Sequence, residues 1–198
     1  MTSFQLSYDY RCPFAKNIHL HVISALRAGG EFEVNFVPWT MSEGYRGADS
    51  PNVWDDPARD DELLALAVSV SVRDLQVEHF LTAHEALFRA RHESAVRLTR
   101  ASEIAEVLEP LGVDLDSVFE DVASRRPHAV IGESYRAFER YEAFGVPTFV
   151  VGNDATFVRY MTAPSARPEE SLEIVSSLVA LMTQRRDLNE FKHTTVPF

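Results

Sequence analysis

The sequence predicts an α/β fold in which an all-helical block interrupts a small sheet. Three observations predict it. Two alternating apolar stretches, 3–10 and 31–39, flank a run with helical spacing. The next long stretch, from about residue 59 to 143, is helical in period throughout. Two apolar runs, 145–152 and 155–161, then meet at a short turn and precede a final amphipathic run.

Each element has its own warrant. In "SFQLSYDY" the residues Phe4, Leu6, Tyr8 and Tyr10 fall on one side, as a strand requires. Pro13 suits the first turn of a helix, where its missing N–H is not needed. Phe14, Ile18, Val22 and Leu26 carry that helix forward, and Gly29–Gly30 stops it. Phe32, Val34 and Phe36 alternate in a second strand, so the first three elements form a βαβ unit with a parallel pair and a right-handed crossover. A loop rich in Gly, Asp, Asn and Pro covers 42–57. Helices are predicted at 59–72, 75–92, 98–110, 114–125 and 128–143, with Asp74 and Asp114 as N-caps and Pro127 and Gly145 punctuating the last. "GND" joins the two late strands as a hairpin. The closing helix spans 167–186, with Glu169 and Glu170 in its first turn and Arg185 and Arg186 in its last, as the macrodipole favours. Without the helical block the order is β-α-β-α-β-β-α, which is the thioredoxin order. The expected organisation is an N-terminal βαβ part (1–58), a helical insertion (59–126) and a C-terminal αββα part (127–198).

Composition removes several function classes. There are 30 Asp and Glu against 19 Lys and Arg, a net charge of −11, and short basic runs such as 89–92 and 124–128 make no stripe. Nucleic-acid binding needs a concentrated basic face and is not expected. No apolar run reaches the roughly 20 residues of a membrane span, so no membrane partner is expected. The start "MTSFQLSYDYRCPF" has no basic segment leading into an apolar one, and a cytoplasmic location is expected. The single cysteine excludes an internal disulfide and a thiolate-built zinc site. Among the seven histidines, His19 and His21 are two apart on one helix, and His79, His84 and His92 lack the i, i+4 spacing of a helical metal pair; no metal site is expected.

That single cysteine, Cys12, stands at the mouth of the first helix. Unpaired backbone N–H groups and the positive end of the helix dipole favour thiolate there, so its pKa is expected to fall below the ~8.5 of free cysteine. A small buried hydrophobe is the other reading of a lone cysteine. In "FGVPTFV", Pro147 opens a strand. Only about 5–6% of X–Pro bonds are cis, so the dipeptide taken alone reads as trans.

Together, "YDYRCPFAK" with its following helix, the helical insertion and "YEAFGVPTFVVG" resemble the DsbA-like branch of the thioredoxin superfamily. That branch includes disulfide oxidoreductases, kappa-class glutathione transferases and 2-hydroxychromene-2-carboxylate isomerases. "VPWTMSEG" and "RYMTAPSARPEE" are similar to segments of actinobacterial mycothiol-dependent nitroreductase-type proteins within it. The resemblance implies a thioredoxin fold with an all-helical insertion, a catalytic role for Cys12, and a cis peptide before Pro147. It also implies that the backbone at Val146 and Pro147 pairs with a thiol or disulfide substrate like an added strand.

The chain departs from the dithiol pattern: it reads C-P-F-A, with Ala15 where a second cysteine would stand. No residue of the chain can resolve a mixed disulfide on Cys12, which leaves monothiol chemistry with an external low-molecular-weight thiol, mycothiol or glutathione, as co-substrate and no tightly bound cofactor. Pro13 and Phe14 belong to the same active loop. Asp9 and Arg11 flank it, and Arg11 lowers the thiol pKa further if its guanidinium points inward. Trp39 either walls the pocket or packs in the core. Arg159 either holds a carboxylate of the thiol or is an exposed strand-end arginine. The insertion, with Leu75, Phe80, Leu81, Leu87 and Phe88 as its apolar face, is expected to form a lid, and the cleft beneath it to hold ligand.

The leading expectation is a thiol-disulfide oxidoreductase with a small-molecule thiol or disulfide substrate. A glutathione-type transferase or isomerase is the alternative, and a non-catalytic thioredoxin-fold binding module the second. Homodimer formation is left open.

Overall fold

The computed structural model describes residues 2–195. Strand β1 (Thr2–Tyr8), helix α1 (Pro13–Arg27) and strand β2 (Phe32–Pro38) form the expected βαβ unit. The insertion follows as α2 (Asp60–Leu75), α3 (Val77–Glu93), α4 (Ala101–Leu108) and α5 (Leu115–Ala123). Helix α6 (Arg126–Glu139), strands β3 (Thr148–Val151) and β4 (Asp154–Phe157), and helix α7 (Pro168–Gln184) complete the chain. The sheet order is β2-β1-β3-β4. β1 and β2 are parallel from Thr2↔Phe32 to Tyr8↔Pro38, while β3 runs antiparallel to both β1 and β4. This is a thioredoxin sheet with an all-helical insertion, the fold class the sequence predicts.

Several boundaries differ from the sequence reading. β1 ends at Tyr8, and Tyr10 lies in the turn that delivers Cys12 to α1, although it is buried like the strand residues. Asp74 is no N-cap: α2 runs through it, and its carboxylate is held by Arg73 and Arg126 at 2.7 and 2.6 Å. Asp114 does cap α5, accepting from the Ser117 amide at 3.2 Å. α6 stops at Glu139, short of Gly145, and residues 158–161 leave the sheet. Arg185 is the residue after the last turn of α7, and Arg186 pairs with Asp154 on the hairpin rather than with the helix end. The hairpin loop places Gly152 at its first position with φ 61°, where a glycine avoids the left-handed penalty.

The insertion is not a loosely laid lid. One continuous apolar cluster runs from Phe4 and Leu6 of β1 through α1 to Leu66, Phe80 and Phe88 of the insertion. α3 lies against α1, tied at its ends by Lys16–Glu93 at 3.1 Å and by Arg27–Glu85. Between them Tyr8 packs edge to face on Tyr10, His19, His84 and Phe88, and His84 does the same on His19 and Phe88.

A buried hydrogen-bonded chain threads this cluster. The Tyr10 hydroxyl meets His84 Nδ1 at 2.7 Å, His84 Nε2 meets His19 Nδ1 at 2.9 Å, and His19 Nε2 meets the Ser7 carbonyl at 3.1 Å. A carbonyl only accepts, so each donor follows in turn: His19 Nε2–H to Ser7, His84 Nε2–H to His19, and Tyr10 O–H to His84. Every member is satisfied with both rings neutral. Burial accordingly holds His19 down at about 3 and His84 well below the ordinary histidine value.

Candidate functional site

Cys12 is the N-cap of α1, with extended backbone (φ −89°, ψ 118°). Its Sγ accepts from the Ala15 amide at 3.4 Å and lies 3.2 Å from the Val146 carbonyl, to which the S–H donates. The Val146–Pro147 peptide is cis, as the resemblance implies and the dipeptide alone does not. Position 147 is seated by its neighbours: the Ser7 hydroxyl accepts from the Thr148 amide at 2.9 Å, and the Pro147 carbonyl accepts from Val158 at 3.1 Å. Pro13 occupies the start of α1, exposed, and Phe14 follows half-buried. Residues Cys12, Pro13, Phe14, Val146 and Pro147 therefore meet at one place, although Cys12 and Val146 are 134 positions apart in the chain.

The electrostatics differ from the expectation drawn from the helix mouth. Burial pushes the Cys12 thiol up, and this outweighs the amides of Ala15 and Phe14, which pull it down. Asp9 pushes it up further, and Arg159 pulls it down. Only 6% of the residue is exposed. A thiol so enclosed loses the hydration its anion would need, and two amides do not replace it.

Arg11 does not point at the sulfur. Its guanidinium turns to the buried Asp9, 2.9 Å from Nε to Oδ1, and to the Ser42 hydroxyl at 2.7 Å, with Glu62 3.8 Å away. Asp9 also accepts from the Met41 amide at 3.0 Å. This knot ties the active loop to the segment after β2 and to α2. Trp39 is buried and stacks on Tyr135 of α6 at 4.9 Å, the core packing that was one of its two expected roles. Arg159 is exposed, with its guanidinium 4.9 Å from the centre of the Phe14 ring.

The cleft expected under the lid is filled by the aromatic cluster of Tyr8, Tyr10, His19 and His84. Cavities of about 320 Å³, lined by Gln5, Asn35, Arg73 and Ser134 among others, and of about 310 Å³, beside Tyr160 and α7, lie elsewhere and do not border Cys12. Sequence reasoning missed the Tyr10–His84–His19 chain. Its signal was a histidine at i+4 from Phe80 and i−4 from Phe88, on the buried stripe of α3.

Comparison with known proteins agrees with this fold. The profile of the DSBA-like thioredoxin domain matches residues 5–173. A thiol:disulfide interchange protein DsbA of Pseudomonas syringae pv. tomato is 26% identical over 110 residues, 56% of this chain and 49% of that protein. The match thus spans about half the length of that relative. The cytosolic disulfide reductase DsbM of Pseudomonas aeruginosa, solved with GSH, superposes over 90% of this chain and 100% of its own with a TM-score of 0.64 at 14% identity. DsbA of Pseudomonas aeruginosa covers 95% of this chain and 86% of its own, with a TM-score of 0.56 at 20% identity. No helix among the described residues is long and apolar enough to cross a membrane. With a helix-mouth cysteine set against a cis-proline segment, and a family profile spanning most of its length, the chain belongs to the DSBA-like thioredoxin domain family.

Proposed function

We propose that the protein is a cytoplasmic monothiol oxidoreductase acting on a small thiol or disulfide through Cys12. The observation that carries this reading is the Cys12 Sγ, capped by the Ala15 amide and 3.2 Å from the carbonyl of the cis-proline segment, in a chain with no second cysteine. In the first step the Cys12 thiolate attacks one sulfur of a disulfide; that S–S bond breaks, the other half leaves as thiolate, and Cys12 holds a mixed disulfide. In the second, an external thiolate attacks the substrate-derived sulfur, forms a new disulfide and releases Cys12. The external thiol is thereby oxidised as the original disulfide is reduced. Glutathione or mycothiol suits that role, and the GSH bound by the cytosolic DsbM neighbour supports the former and the location.

The enclosed, upward-shifted thiol favours a second reading on the same scaffold. There Cys12 orients a bound cofactor thiol, and the cofactor performs a transferase or isomerase reaction. Cys12→Ser separates the two. Mixed-disulfide exchange, read by mass spectrometry of the adduct, is lost in the variant under the first reading, while conjugation or isomerisation survives under the second. No adduct on the unmodified protein with any disulfide refutes the leading reading. A thermal-shift screen with glutathione, mycothiol and coenzyme A identifies the thiol by the stabilisation that binding confers.

A further inference from the structure

A band of side chains beside Cys12 makes and breaks no bond in the exchange step. Phe144, two residues before Val146, is 77% exposed, and its ring packs on Phe157 with centroids 5.0 Å apart. The Arg159 guanidinium lies 5.9 Å from the centre of the Phe157 ring and 4.9 Å from that of Phe14. Contacts therefore run Phe144, Phe157, Arg159, Phe14 and end in the first turn of the helix that Cys12 caps. The sheet explains the alignment: Thr148 sits opposite Phe157, and Val158 donates to the Pro147 carbonyl, so 157–159 run alongside the cis-proline segment. Arg159 is exposed and has no carboxylate partner among the described residues, in a chain of net charge −11. Arg11, by contrast, is occupied by Asp9 and Glu62. A guanidinium held near aromatic rings by cation–π attraction, with no carboxylate partner among the described residues, keeps N–H groups that can grip a carboxylate with two parallel bonds.

We propose that this band selects a small disulfide or thiol carrying a carboxylate on or beside a flat apolar group. Arg159 takes the carboxylate, and the exposed ring of Phe144, backed by Phe157, takes the flat face. The assignment deepens the reading of Cys12 as the attacking thiol and rests on it. In the step concerned, the Cys12 thiolate attacks one sulfur of the disulfide, the S–S bond breaks, one half leaves as thiolate, and the other stays on Cys12.

Three probes separate the contributions: dithiobis(nitrobenzoate), which is flat and carboxylated; dithiodipyridine, flat without a carboxylate; and hydroxyethyl disulfide, neither. Rates of thiol release are each normalised to free cysteine. The expected result is a preference for the nitrobenzoate, which Arg159→Gln reduces roughly tenfold, the scale of one charge-assisted contact, with the dipyridyl rate kept within about twofold. Phe144→Ala slows both flat probes and leaves hydroxyethyl disulfide unchanged. Equal losses on all three probes in Arg159→Gln assign Arg159 to the reactivity of the thiol alone and overturn the proposal, as does no loss. Calorimetric binding of dithiobis(nitrobenzoate) to the Cys12→Ser protein tests the site without chemistry. Binding that weakens with Arg159→Gln supports the band even if Cys12 releases no thiol, which refutes only the exchange reading. Binding indifferent to Arg159, or none, refutes the band.

Discussion

Acid is expected to loosen this fold well before its carboxylates titrate. The largest cause is the burial of His19 and His84; burial also lowers His21, His92 and His128, which act in the same direction. His19 is neutral in the folded chain down to about pH 3, whereas an unfolded histidine protonates near 6.5. Between those values the unfolded chain binds a proton that the folded chain refuses, so stability falls as pH falls. From pH 7 to pH 5 the gap opens by about 1.5 pH units, and at 1.36 kcal/mol per unit His19 alone removes about 2 kcal/mol. His84 acts in the same direction, its burial being the larger cause and the neighbouring His19 the next. The ion-paired carboxylates Asp74, Glu85, Glu93 and Asp121 are held below their usual values, so their contribution stays until pH falls through the ordinary carboxylate range. The window from 6.5 to 5 thus belongs to the histidines. Urea unfolding at pH 7, 6 and 5 measures the free energy, and ring chemical shifts in NMR report the two histidines directly. A flat profile across that window, or a His19 ring that titrates near 6.5, refutes the neutral chain deduced from the Ser7 carbonyl.

Three further outcomes follow from single sites. Alkylation of Cys12 by iodoacetamide is expected to rise roughly tenfold per pH unit through pH 9 without levelling, because burial raises the thiol; a plateau near neutrality contradicts it. Gly132→Ala places a methyl 2.7 to 2.9 Å from the Trp54 indole, and overpacking of about 1–3 kcal/mol is expected in denaturant melts. Asp114→Ala removes the bond to the Ser117 amide at the head of α5, with an expected cost of about 1 kcal/mol and no change in the rate at which Cys12 is alkylated.

The element order was legible because it is written in local periods. Alternation at Phe4, Leu6 and Tyr8, helical spacing from Phe14 to Leu26, Pro127 at a helix start and Gly152 in a two-residue hairpin are each decided by a few neighbouring residues. At two of the ends that slipped, a long-range partner had intervened. Asp74 found Arg126 across 52 residues and stayed within α2 instead of capping the next helix, and Arg186 found Asp154 across the hairpin.

By itself the sequence determined that no disulfide forms within the chain, since it has one cysteine, and the placement of that cysteine at a helix mouth. Only the tertiary structure decided what surrounds it. The contact of the sulfur with the cis-proline segment, the bond from Arg11 to Ser42 and the histidine chain between α1 and α3 all join residues far apart in sequence. The physical reason is that local propensity reflects the nearest few residues, whereas burial and charge depend on whatever the folded chain brings alongside. At Cys12 the second overrode the first: amides that favour thiolate are local, and the desolvation that opposes them comes from the whole fold.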